Sequence, residues 1–159
     1  MAATPLTAPR LTQAYGRVPG VNVLPQTFAV PQGTGAMYQG GLAMVVAGYA
    51  QEAVGSQAGT VVGRVAAGNG GQSVFPAPTT PSLTNTAQFI TIEQGCFMWD
   101  NPDPITNAGF GEKVYVYDDH SVTATAGSNA CAGYFVGLDS ATQSQAMVIT
   151  ILGGFGAKS

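Results

Sequence analysis

Apolar and polar positions fall into two regimes along this chain, with the change near Tyr38. From there onward, short apolar runs rich in β-branched and aromatic residues stop at Gly, Asn, Asp or Pro, which is how half-buried strands and their turns are written. The pattern predicts strands over 42–47, 49–54, 60–66, 89–99, 113–117, 122–126, 133–138 and 146–152. No sustained helical period separates them, and only 104–109 (PITNAG) has room for a helical turn. The expected fold is therefore all-β, a compact β-barrel or sandwich-like domain of short strands over residues 37–159. In the run 89–99, alternation puts Phe97 and Trp99 on one face and Cys96 and Met98 on the other. Both faces are apolar, as expected of a central strand or of one covered by another subunit. Residues 68–86 form a Gly/Pro-rich loop by composition, long enough to be either flexible or used for contact.

Residues 1–36 read differently, as an extended N-terminal arm. Pro5, Pro9, Pro19, Pro25 and Pro31 break any helix there and keep the residues before them extended. The arm offers Tyr15, Arg17, Val18, Val21, Val23, Leu24, Phe28 and Val30, without a period that would close a core. A solvated tail does not need so many branched apolar residues. The arm is expected to become ordered on a neighbouring molecule, with those eight residues as its candidate contacts.

Composition narrows the partners. Charged residues are 8% of the chain against a usual ~25%, while 45% are hydrophobic, which excludes the highly charged composition of disordered proteins. Twenty-two Gly and ten Pro favour turns over helices. A net charge of −3 with five Lys and Arg leaves no basis for a nucleic-acid groove or a polybasic membrane patch. The longest apolar run, 42–50, is far shorter than the ~20 residues of a membrane span. The N-terminus lacks a charged region followed by an apolar stretch, so no signal peptide is expected and the chain is read as made in a cytosol. Cys96 and Cys131 are expected as two reduced thiols packing as small hydrophobes. A disulfide between them, the alternative, would contribute about 3–4 kcal/mol.

Candidate chemistry is sparse. Asp118-Asp119-His120 is the one cluster of acid and base residues, but adjacency does not assemble a nucleophile, a base and an oxyanion stabiliser. With Tyr115 and Tyr117 before it and Val122, Thr123 and Thr125 after it, the cluster reads as a hairpin turn. One His and two Cys cannot complete a zinc site. Asp100-Asn101-Pro102-Asp103 resembles the start of a calcium loop, but Pro102 and Gly111 fall where ligands belong, so a turn is expected. In 63–69 (GRVAAGN), Asn69 stands where a phosphate loop needs Lys, and Gly68–Gly71 leads to Pro76 and Pro78 instead of a helix. Tyr115, Tyr117, Tyr134 and Phe135 lack a basic groove beside them and read as core and contact residues. No catalytic residue, cofactor or metal is expected, and the chain is read as non-enzymatic.

One resemblance remains. GCFMWDN from Gly95, then PITNAGFGEKVYVYDDHSVTATAG, AGYFVGLDS and the closing MVITIL resemble the capsid cement, or decoration, proteins of tailed bacteriophages. Upstream, Tyr38-Gln39-Gly40-Gly41, Gly48-Tyr49 and Val61-Val62-Gly63-Arg64-Val65 fit the same pattern, so the likeness spans roughly 38–152. It implies a compact β-domain on the outside of a phage head, bound between major capsid subunits and stabilising the shell. It also implies a virion protein made in the host bacterial cytoplasm and assembled as a homotrimer near threefold positions. The major capsid protein would be the partner, with no direct contact to nucleic acid or membrane. The arm and the Pro-rich loop lie outside the resemblance; their contact role comes from composition. The competing reading is a tail, fibre or adhesion β-module that binds a receptor or glycan.

Overall fold

A computed structural model describes residues 26–139 and 141–150 of the chain. The described residues form eleven strands: β1 Gln26–Pro31, β2 Met37–Tyr38, β3 Leu42–Val46, β4 Tyr49–Glu52, β5 Thr60–Val65, β6 Val74–Phe75, β7 Phe89–Asp103, β8 Lys113–Val116, β9 Ser121–Thr123, β10 Cys131–Leu138 and β11 Gln145–Thr150. Three short 3-10 turns, Asn69–Gly71, Thr86–Gln88 and Asn107–Gly109, complete the elements. The fold is all-β with a closed barrel, as the alternation predicts.

β7 organises everything else. Its second half pairs antiparallel with β11 over Gly95–Asp100 and parallel with β9 at Asp100 and Asp103. β11 continues to β10, β10 to β8 and β8 back to β9, so five strands close into a ring. The first half of β7 pairs with β1 from Phe89 to Gln94 and with β5 at Ile92 and Glu93. β5 continues to β3 and β4, and a parallel bridge from Gln32 to Ala50 ties the chain just after β1 to β4. Closing sheets in this way removes open edges.

Two cores result, one in each half. Phe97, Trp99, Val114, Val116, Val122, Phe135 and Val148 fill the barrel together with Leu42 and Met44 of β3. Val30, Ala43, Val62, Val65, Ile90 and Ile92 form the second core, which the β2–β6 ribbon covers with Met37 and Phe75. Strand alternation explains how β3 serves both: Leu42 and Met44 point one way and Ala43 the other. Each large side chain removed from water here contributes about 1.5–3 kcal/mol. Phe97 and Trp99 meet edge to face with ring centroids 6.3 Å apart, and the Arg64 guanidinium lies 4.5 Å from the Phe97 centroid. Arg64 also donates to Glu93, joining β5 to β7.

The structure revises several expectations. The arm does not extend to residue 36. Gln26–Pro31 is a paired strand whose Val30 lies in the second core with Phe28 packed against it. Pro31 is tolerated because it stands at the strand's end. The loop 68–86 carries structure of its own, since Phe75 is buried and buried Gln32 donates from Nε2 to Phe75 O at 3.0 Å and Gly35 O at 2.8 Å. Asp100-Asn101-Pro102-Asp103 is the end of β7 instead of a turn. The β7–β9 register slips between Asp100 and Asp103, and that irregularity accommodates Pro102, which has no N–H to donate. Along β7, Ile90 and Ile92 enter the second core and Phe97 and Trp99 the barrel core, while Met98 is buried outside both.

Candidate functional site

Of the eight arm residues, Tyr15, Arg17, Val18, Val21, Val23 and Leu24 lie outside the described residues. Phe28 and Val30 are in β1, and Val30 faces inward. Gln26 stands opposite Gln94 and Thr150 opposite Gly95, so the first and last described residues of the paired strands both pair with the middle of β7.

The acid–base cluster is a hairpin turn. β8 and β9 pair through Val116 and Val122, and the amide of Asp118 donates to Ser121 O at 3.3 Å. Its side chains do not face water as an ordinary turn's would: Asp118 is 5% and Asp119 1% exposed. Asp118 Oδ1 accepts the His120 amide at 3.0 Å and the Ser121 hydroxyl. His120 Nδ1 lies 3.1 Å from Asp118 Oδ1 and from Asp119 Oδ1. The three residues bring ligand-type atoms within 4.8 Å of one another. Those oxygens already take internal donors, and Ser121 donates to Asp118 instead of the imidazole, so no nucleophile–base pair is assembled here.

Sequence reasoning missed Glu52, which ends β4. Burial, followed by the charge of Asp119, pushes its carboxyl up to about 7. Glu52 Oε1 is buried without a hydrogen-bond partner among the described residues. β3 links the two backbones, because Leu42 donates to Asp119 O at 2.6 Å and Ala53 to Leu42 O at 2.9 Å. Nothing in the sequence around Glu52 announces this link to the β8–β9 turn; only the pairing through β3 brings it about.

The aromatic residues divide. Phe135 is core, while Tyr115, Tyr117 and Tyr134 are half-buried. Tyr115 and Tyr134 line an open groove of about 520 Å³ with Ile105, Glu112, Lys113 and Ala126. Phe110 lies in the same segment as these lining residues, between Gly109 and Gly111, and is 68% exposed. The thiols of Cys96 and Cys131 are free and half-buried, and burial pushes both up, so each is less reactive than an exposed cysteine. At the end of β7, Asp103 Oδ2 accepts from Thr123 Oγ1 at 2.6 Å and Thr125 Oγ1 at 3.2 Å. Asn101 closes onto Ile105 in both directions. These side chains pin strand ends and do not converge as a calcium site does.

Comparison with family models, with curated proteins and with solved structures yields no match.

Proposed function

We propose that this chain is a non-enzymatic capsid cement protein of a tailed bacteriophage, bound on the outside of the head between major capsid subunits. The observation that carries the reading furthest is the pairing of Gln26 and Thr150, the outermost described strand residues, with the middle of β7 at Gln94 and Gly95. A β-body with two cores sharing one long strand suits a protein whose task is to bridge subunits. Binding to the assembled shell, and not to free subunits, stabilises the shell by mass action. An extended segment gains affinity by adding a strand to a neighbour's sheet edge. Assembly as a trimer on the head is part of this reading. Quantitative mass spectrometry of purified virions tests it: the expected result is hundreds of copies in simple ratio to the major capsid protein, and a handful of copies overturns it.

A second reading, a tail or fibre module for a receptor or glycan, is favoured by the groove lined by Tyr115 and Tyr134 with Lys113 and Glu112. Aromatic faces flanked by a few polar groups are a usual form of ligand site. On this reading a glycan array gives hits that Tyr134→Ala abolishes, and an empty array counts against it.

A further inference from the structure

Asn69 is the chain's one asparagine followed by glycine, and it opens the short 3-10 turn Asn69–Gly71 between β5 and β6. Asn69 and Gly70 are both exposed. The backbone bonds that shape this turn do not use the Gly70 amide: Gly71 donates to Gly68 O at 3.1 Å, and Gly68 donates to Gln72 O at 2.8 Å. Among the described residues, none hydrogen-bonds the Asn69 side chain or the Gly70 N–H. Gly70 has φ +72°, and nothing lies within 4 Å of where a Cβ would stand. With glycine at 68, 70 and 71, the backbone around Asn69 rearranges at little cost. The other described asparagines are placed differently. Asn85 Oδ1 accepts from the Ala87 amide at 3.2 Å, and Asn129 Oδ1 from the Ser56 amide at 2.8 Å. Asn101 is bonded to Ile105 and precedes Pro102, which has no N–H. Asn107 is exposed, but Ala108 follows it.

We propose that Asn69–Gly70 is a site of spontaneous deamidation in the folded protein, a mark of age that sets one more negative charge on the β5–β6 loop. The site is independent of what the protein binds. The Gly70 backbone nitrogen gives up its proton and attacks Asn69 Cγ. The new N–Cγ bond closes a succinimide ring, the Cγ–Nδ2 bond breaks, and Nδ2 takes up a proton and leaves as ammonia. Water then opens the ring. Cleavage at Cγ leaves aspartate at position 69, and cleavage at the backbone carbonyl of that residue leaves isoaspartate, whose main chain is one carbon longer. Either product adds one negative charge to a chain of net charge −3. A Cβ on residue 70 would crowd the attacking nitrogen, and glycine is the residue without one. The longer main chain of isoaspartate falls inside the ring that the Gly68–Gln72 bond closes.

The full chain, held in mildly alkaline buffer, digested at acid pH where ring closure is slow, and read by mass spectrometry, tests this directly; enzymatic methylation counts the isoaspartate. Conversion at Asn69 is expected to grow with time while Asn85, Asn107 and Asn129 stay unchanged. It should slow in mildly acidic buffer, because the attacking nitrogen must lose its proton. Gly70→Ala should slow it by on the order of tenfold, and Asn69→Gln should remove the more acidic species from ion-exchange profiles. The urea-unfolded chain gives the rate that sequence alone supports. A native rate within about tenfold of it supports the proposal, since the fold then leaves the Gly70 amide free to react. A native chain that lags further overturns the proposal, as does conversion at Asn107 as fast as at Asn69.

Discussion

At the scale of single residues, two positions carry unusual strain or cost. Gly63 has φ +141°, and a Cβ there would stand 2.2 Å from Glu93 O, inside any tolerable contact. Gly63→Ala is therefore expected to cost about 3 kcal/mol or more, since both the backbone and the β5–β7 pairing must shift. Gly70, with φ +72° and open space around it, isolates the conformational part alone. Gly70→Ala should cost about 1 kcal/mol, and urea midpoints of the two variants separate the terms. Trp99, the chain's one tryptophan, is fully buried, yet its Nε1 has no hydrogen-bond partner among the described residues. Removing that donor offsets part of the cavity left behind. Trp99→Phe is expected to lose less than about 2 kcal/mol and Trp99→Ala about 3–5 kcal/mol, measured by chemical denaturation. Face assignment by alternation was legible here: Phe97 and Trp99 do share the barrel core. The burial of Asp118 and Asp119 was not, because it depends on the Leu42 amide reaching the turn from a distant strand.

Among the elements, β1 separates the two views of the N-terminal region. Deleting residues 1–25 should leave the thermal midpoint of the domain nearly unchanged. Deleting 1–31 removes six cross-strand pairs with β7 and takes Val30 out of the second core, so unfolding or a large fall in midpoint is expected. Equal midpoints for the two truncations would mean that β1 adds nothing. The eight strands expected between 42 and 152 all appear, the last of them as far as Thr150 with 151–152 outside the described residues, because their branched and aromatic runs stand out between turn residues. β1 escaped detection because its alternation rests on Phe28 and Val30 alone, between prolines that suggested an arm. β2 and β6 have two residues each, too few for any period. The extension of β7 through Pro102 to Asp103 was hidden for the opposite reason: Asn-Pro-Asp spells a turn, and pairing with β9 overrides it.

For the molecule as a whole, the shared strand couples the two cores. Ile90 and Ile92 in the second core and Phe97 and Trp99 in the first lie on one uninterrupted strand. Ile90→Ala and Val122→Ala, one in each core, should each lower a single common transition, followed by tryptophan fluorescence and circular dichroism together. Two separated transitions would show that the halves unfold independently. The same sharing sets an order of events during synthesis. Once Gln94 has left the ribosome, β1 and β3 to β5 all have the first half of β7 available, and the second core can assemble. The other half of β7 must wait, because β11, which covers Gly95–Asp100, is the last described strand to emerge. Until then its apolar face is exposed on a nascent chain that is already half folded, the kind of surface that chaperones bind and that neighbouring chains on a polysome can capture.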